Sequence, residues 1–382
     1  MRKYHLLAPG PTPVPAQVLE AMARPLMHHR TSKFEALFEE VRAGLSWLYQ
    51  AVGDVITLAA SGSGGMEACV ANLMSPGDSA LVVEGGKFGE RWTEICRAYG
   101  MKTDVLSVEW GRSVDIGEVE TRVKAGRHRA VFVQASETST GAKHDIKELA
   151  RAVREVSPET LVVVDAITAL GVYDLRPSEW GLDAVVTGSQ KAMMLPPGLA
   201  FVWLSERAWA AAEKTKSPRY YFDLLIERKS QGKNTTAWTP AISLIAGLKV
   251  ALGMMREEGL ENIFERHARL ARGLRAAMGA LGLEMFPRDL MSEAVTAVRV
   301  PEGVDGKAIP KKMQNDQGVT IAGGQSGRSG NVSGKIFRIG HMGYVDESDM
   351  LVAVGGVETT LADLGYSLEK GAGLAAAQEV FG

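Results

Sequence analysis

Leu161-Val-Val-Val-Asp165 is a run of four apolar residues closed by a carboxylate, with no polar residue alternating between them. A strand that is apolar at every position is buried on both faces, and sheets built from such strands are mostly parallel with helices on either side. The same texture returns in Val55-Ile-Thr-Leu-Ala59, Ser79-Ala-Leu-Val-Val83, Ala130-Val-Phe-Val-Gln134, Ala184-Val-Val-Thr187 and Ala200-Phe-Val-Trp-Leu204, with a further strand over 102–107. Between the earlier strands, apolar residues recur at helical intervals over 65–74, 88–99, 114–124 and 146–156. Strand and helix in turn predict an α/β fold with a large, mostly parallel sheet, whose ligands gather at the carboxyl ends of the strands.

Outward from that alternation the pattern changes. Four prolines in Ala8-Pro-Gly-Pro-Thr-Pro-Val-Pro15 fix φ and exclude a helix, so this part of the chain is read as an extended arm. Helical spacing follows over 15–27 and again, amphipathically, over 34–52. Residues 205–240 read as irregular, 241–258 and 260–281 as helices. The remainder mixes strands over 294–300, 319–322 and 335–339 with helices over 307–317 and 347–364, and the tail from Ser367 reads as a capping helix or a loose end. The expected organisation is an N-terminal arm over 1–20, a large α/β domain over 21–258 and a smaller α+β domain over 259–382.

Composition excludes several classes of function. A chain of 382 residues, 46% hydrophobic, buries a large core, and a net charge of −2 argues against nucleic acid or a membrane surface as partner. Two cysteines, Cys69 and Cys96, form neither a disulfide framework nor a metal spacing, which suits the cytoplasm. The N-terminus has no signal-peptide pattern and no stretch is apolar enough to span a membrane.

Chemistry concentrates at strand ends. Lys191 closes the polar turn Gly188-Ser-Gln-Lys191 after a buried strand and precedes a Pro-Pro-Gly bend. A lysine held there is desolvated, which lowers its pKa and leaves a nucleophilic amine of the kind Schiff-base chemistry uses. Asp165 needs a cation or donor to answer it at the end of its apolar run, and a protonated pyridine nitrogen is one. Ser61-Gly-Ser-Gly-Gly65 lies between a strand and a helix, where free N–H groups and the helix terminus make an anion cradle. Phe88, in Gly85-Gly-Lys-Phe-Gly89, offers an aromatic face. Anchor, electron-sink partner and amine on three strand ends are what a pyridoxal 5′-phosphate enzyme needs. His28 and His29 are adjacent and so point apart, which favours structural or substrate-lining roles over metal binding; no metal site is expected.

In combination, Ser61-Gly-Ser-Gly64, Phe88-Gly-Glu-Arg91, Glu137-Thr-Ser-Thr-Gly141, Val164-Asp-Ala-Ile167, Gly188-Ser-Gln-Lys191 and Arg338-Ile-Gly340 resemble the class V aminotransferases of PLP fold type I, over nearly the whole chain. The resemblance is greatest to the alanine–glyoxylate and serine–glyoxylate (serine–pyruvate) group. It implies that Lys191 carries the cofactor and shuttles the proton during transamination, and that Asp165 pairs with the pyridine nitrogen. It further implies that Ser63, Gly64 and Gly65 hold the phosphate with Gln190, that Thr138 bonds the ring edge, and that Phe88 and Ile167 sandwich the ring. Arg338 would clamp the substrate carboxylate. Relatives often carry tryptophan at the stacking position and a side chain where this chain has Gly65. The family builds its site across a homodimer, and Thr236 and Thr239 match the segment that reaches the partner's phosphate.

The expected activity is transfer of an amino group from a small amino acid, alanine or serine, to the 2-oxo acid glyoxylate or pyruvate. Two alternatives are a lyase of the cysteine desulfurase type, which needs a nucleophilic cysteine on a late mobile loop, and a non-catalytic partner subunit. The sequence does not choose the amine, nor assign Tyr220, Trp238, His28 or His341.

Overall fold

The structure, a computed structural model, describes residues 3–382; the first two residues of the expected 1–20 arm lie outside the described residues. Its centre is a seven-stranded sheet of β1 (Val55–Leu58), β2 (Ser79–Glu84), β3 (Lys102–Ser107), β4 (Ala130–Gln134), β5 (Leu161–Asp165), β6 (Ala184–Gly188) and β7 (Ala200–Leu204). In space the order is β1-β7-β6-β5-β4-β2-β3. Strands β2 to β6 pair in parallel, whereas β7 runs antiparallel to both of its neighbours, so the sheet is mixed through one reversed strand. The reversal follows from a direct return: the loop after β6 leads straight back beside it rather than through a crossover helix.

Successive residues of each strand feed opposite cores. Val131, Val133, Val162, Val164 and Val185 pack on one side with the helices Ser32–Tyr49 and Ile146–Val156. Ala130, Phe132, Val163 and Val186 pack on the other with Gly62–Leu73 and Lys87–Ala98. Fully burying one such valine or phenylalanine stabilises by about 1.5–3 kcal/mol, so the unalternated strands are favoured only in this two-sided position.

A second, three-stranded antiparallel sheet places Ile336–Gly340 between Val295–Arg299 and Ala322–Gly323. It shares a separate core with the helices Leu260–Ala280 and Glu347–Asp363 and with the tail, which is a helix over Ala372–Phe381. Gly273 admits that tail: a Cβ there would stand 2.3 Å from the Phe381 ring. The N-terminal arm joins this part of the molecule, His5–Leu6 pairing in parallel with Val319–Thr320.

Three local expectations change. The helix expected over 15–27 covers Ala16–Met22 only, because Pro25 disfavours helix at the residue before it. The region read as irregular contains Glu206–Ala212 and Leu224–Gln231, started by Ser205 and Asp223 side chains that accept from the first-turn N–H groups. The helix expected over 307–317 is α only over Ala308–Lys312 and widens to a π turn over Met313–Gln317.

Candidate active site

Lys191 is held by its loop rather than by its neighbours in sequence alone. Ser189 ties the loop shut: its N–H donates to the Leu199 carbonyl (2.9 Å), its Oγ accepts from Leu199 N–H (3.1 Å) and donates to the Pro196 carbonyl (2.7 Å). Met194 takes a left-handed φ of 56° to make the bend. From the other side the N-terminal arm docks, Thr12 N–H donating to the Gln190 carbonyl (3.2 Å) and Thr12 Oγ1 to that of Lys191 (2.9 Å). The lysine is left 9% exposed, and its Nζ donates to the Pro9 carbonyl. Gly10, at φ 104°, passes directly over the amine, where a Cβ would meet Nζ at 2.3 Å.

Asp165 ends β5, next to β6 in the sheet, and is 5% exposed. Its Oδ1 accepts from Ile167 N–H at 2.8 Å. Burial pushes this carboxyl up to about 7, against the Ile167 N–H and the positive charges of Arg91 and Lys191, which favour the ionised form. Burial likewise pulls Lys191 down to about 8, with Asp165 opposing and Arg338 and Arg91 assisting. An acid and a base thus face one site with pKa values brought close together, an arrangement characteristic of functional sites.

Both belong to a cavity of about 190 Å³. Of the residues expected in the site, Ser63, Phe88, Thr138, Asp165, Ile167, Gln190 and Lys191 line it. The turn expected to hold the phosphate meets the cavity through its first three residues. The helix begins at Gly62, and the cavity is lined by Ser61, Gly62 and Ser63. The N–H groups of Gly64 and Gly65 are spent on the Ser61 carbonyl (2.8 and 3.2 Å), while those of Gly62 and Ser63 make no hydrogen bond among the described residues. Gly64 and Gly65 are closely packed: a Cβ on Gly64 would stand 2.7 Å from the Ala60 methyl, and one on Gly65 2.7 Å from Val186 on the sheet.

The other expected residues lie farther out. Arg338, in the middle strand of the small sheet, is buried and donates to the carbonyls of Thr138 (2.8 Å), which lines the cavity, and Gly323 (2.7 Å). Burial lowers its pKa to about 10, with Glu137 opposing. Thr138 Oγ1 pairs with Thr168 Oγ1 at 2.8 Å. Thr236 and Thr239 line a different pocket, with Trp238 and Glu227, and Thr236 Oγ1 donates to the Trp238 carbonyl (2.6 Å). His28 and His29 do not point apart as expected but stack on each other at 4.7 Å, because they lie in an irregular turn rather than on a regular element. His341 is buried against Thr296 (2.9 Å).

Ser61 and Gly62 line the cavity as part of the glycine-rich turn, and Arg91 and Thr168 line it without having been given a role. Arg91 had a usable signal, since three residues beyond Phe88 is the same helix face. Thr168 had none in its spacing. Glu137 completes the frame: wholly buried, its carboxylate accepts from Phe88 N–H (3.0 Å), Gly89 N–H (3.1 Å) and Ser139 N–H (3.1 Å), fixing the turn that carries Phe88.

These residues fit pyridoxal phosphate. Two unspent helix N–H groups and Arg91 suit its phosphate, Asp165, which has no ion-pair partner among the described residues, suits a ring N–H⁺, and Gln190 Oε1 is buried without a partner among the described residues. Neither cysteine lines this cavity: both are fully buried free thiols, with Cys96 pushed up to about 12 by burial and Cys69 pushed up by burial and by the nearby Asp165.

The family model described as "Aminotransferase class-V" matches residues 4–358. The chain is 44% identical to a protein of Synechococcus sp. (strain PCC 6716) named "Soluble hydrogenase, small subunit", over 99% of this chain and 98% of that one. It is 36% identical to the L-aspartate–glyoxylate aminotransferase of Paracoccus denitrificans, over 98% of this chain and 95% of that one. Among solved structures, the ureidoglycine–glyoxylate aminotransferase of Bacillus subtilis superposes with a TM-score of 0.92 at 29% identity, covering 100% of this chain and 98% of that one.

Proposed function

The chain belongs to the class V aminotransferases and is a pyridoxal-phosphate-dependent enzyme of fold type I; from that premise we propose that it moves an amino group from a small amino acid, alanine or serine, to glyoxylate or pyruvate. The observation that carries the reading is the placing of Lys191 and Asp165 on adjacent strand ends around one cavity, each brought toward neutrality by burial.

When bound, the cofactor supplies an electron sink for the carbanion that forms at the substrate Cα. Around it the chain has distinct tasks. Lys191 Nζ, which donates to the Pro9 carbonyl, would hold the cofactor and would be the group that moves the substrate's proton. Asp165 holds a proton on the ring nitrogen. Gly62 and Ser63 give their N–H groups to the phosphate, a refinement of the cradle expected at Ser63, Gly64 and Gly65. Gln190 and Thr138 bond the cofactor's edge, and Phe88 and Ile167 confine its faces. Arg338, with guanidinium N–H directions left beyond its two carbonyl contacts, takes the substrate carboxylate.

A compact substrate follows from the space. The cavity of about 190 Å³ also has to hold the cofactor, which favours a small substrate over a bulky one. Its lining cations are Lys191 and Arg91, the second already at the phosphate turn, so a distal carboxylate finds no unassigned partner there among the described residues. We place the enzyme in the cytoplasm as a homodimer. Tyr220 is 74% and Tyr221 44% exposed, and both rings pack against Trp238 beside Thr239, an aromatic patch suited to a second copy of the chain. No helix among the described residues is long and apolar enough to cross a membrane.

A panel of amino donors against glyoxylate and pyruvate tests the reading, followed through the change in cofactor absorbance in each half-reaction. Alanine or serine is expected to react fastest. Aspartate as the best donor, or no donor at all, would contradict the proposal.

A further inference from the structure

Arg91 stands on the helix Lys87–Ala98, one turn beyond Phe88, and faces the cavity. Its Nη1 donates to Ser63 Oγ at 3.0 Å, and its guanidinium carbon lies 4.8 Å from the centre of the Phe88 ring. Among the described residues no carboxylate comes within ion-pair distance of it. The neighbouring cations differ in this: Lys87 is paired with Glu90 at 2.8 Å and Arg328 with Glu84 at 2.6 Å. A half-buried guanidinium without a counter-charge is costly, and one beside two unspent helix N–H groups lies where an anion would offset that cost. Only one of its five N–H groups is engaged, so a fork remains for a tetrahedral oxyanion.

We propose that Arg91 is a direct phosphate ligand of the cofactor, reaching past Ser63 to complete the cradle begun by Gly62 and Ser63. The inference rests on the placing of the phosphate at that turn. It also gives the short side chain of Ser63 a purpose, because a bulkier residue there would displace the guanidinium from the cavity edge. Stacked on Phe88, Arg91 links the residue that confines the ring to the group that holds the phosphate, so that ring and anion are positioned by one helical turn.

The test compares ligands that differ only in the phosphate. The full-length protein, stripped of cofactor, is titrated with pyridoxal 5′-phosphate and with pyridoxal, following tryptophan fluorescence. In Arg91→Gln the affinity for pyridoxal phosphate is expected to fall on the order of ten- to a hundredfold, the worth of a charge-assisted hydrogen bond, while that for pyridoxal changes less than about threefold. Arg91→Lys should recover part of the loss, since it keeps the charge and gives up the fork. Inorganic phosphate should compete with pyridoxal phosphate in the unaltered protein and more weakly in Arg91→Gln. Equal losses for both ligands would overturn the inference in favour of a role in packing Phe88, and so would an unchanged affinity for pyridoxal phosphate. A damaged fold lowers both affinities together, so the ratio of the two separates it from a lost phosphate contact. If the unaltered protein shows no preference for the phosphorylated ligand, the placing of the cradle fails as well.

Discussion

The loop of Lys191 and the segment Thr235–Pro240 are both assigned to the same cofactor, yet they are built in opposite ways. The lysine loop is closed by Ser189, covered by the arm at Pro9–Thr12 and almost removed from solvent. The threonine–proline segment lies outside the cavity, held by Arg30 through Thr235 Oγ1 (2.6 Å) and the Thr236 carbonyl (2.8 Å), with exposed aromatic rings beside it. One region is complete within a single chain; the other presents contacts that a single chain does not use. The contrast separates chemistry, which one chain assembles, from cofactor retention, which in our proposal a second copy finishes.

Breaking the complete region should have the largest effects. Lys191→Ala is expected to lower turnover by about a thousandfold or more and to abolish the lysine-dependent absorbance of bound cofactor, with the fold retained. Asp165→Asn removes the charged partner of the ring nitrogen from a buried position and should cost on the order of a hundred- to a thousandfold in kcat. Arg338→Ala should raise KM for amino and oxo acids by about ten- to a hundredfold while leaving cofactor affinity unchanged; an unchanged KM would remove Arg338 from substrate binding.

The outer region should respond differently. Replacing Tyr220 and Trp238 by alanine should weaken self-association by about tenfold or more, seen by sedimentation at micromolar protein. Cofactor retention should fall in step with the loss of dimer, and a fully active, cofactor-loaded monomer would erase the distinction between the two regions.

The smallest effect is one of pH on the cofactor-free protein. Asp165 is raised from an ordinary 3.8 to about 7, so between those values the folded chain holds a proton that the unfolded chain has lost. Its contribution to stability is therefore present in acid and is lost as pH rises through that window. Lys191 is lowered from 10.5 to about 8; there the unfolded chain holds the extra proton, and stability rises with pH across the window. Chemical denaturation of the cofactor-free protein should show the first slope flattened in Asp165→Asn and the second in Lys191→Met.

Much of this was legible in the strands. Val131 to Val133 and Val162 to Val164 are apolar on both faces, and only a sheet covered on both sides accommodates that. The direction of β7 was not legible, because Pro196-Pro197-Gly198 marks a bend without saying whether the chain returns directly or through a crossover. Lys191 and Asp165 could be brought to one cavity from the sequence because Asp165 closes a buried strand and Lys191 closes the turn after the neighbouring one. Which residues of Ser61-Gly-Ser-Gly-Gly65 keep free N–H groups was not legible, since only the first turn of the helix decides it. The destination of Arg338 was out of reach for another reason: its contact with the Thr138 carbonyl depends on how the small sheet packs on the large one.

The central claim, that Lys191 is the lysine joined to the cofactor, is tested most directly by borohydride reduction of the cofactor-loaded protein followed by peptide mapping. The account predicts a pyridoxyl group on the peptide containing Lys191 and none on that peptide after prior conversion to the amine form of the cofactor. Stable labelling of a different lysine, or an unlabelled Lys191 in protein that retains bound cofactor and activity, would contradict it.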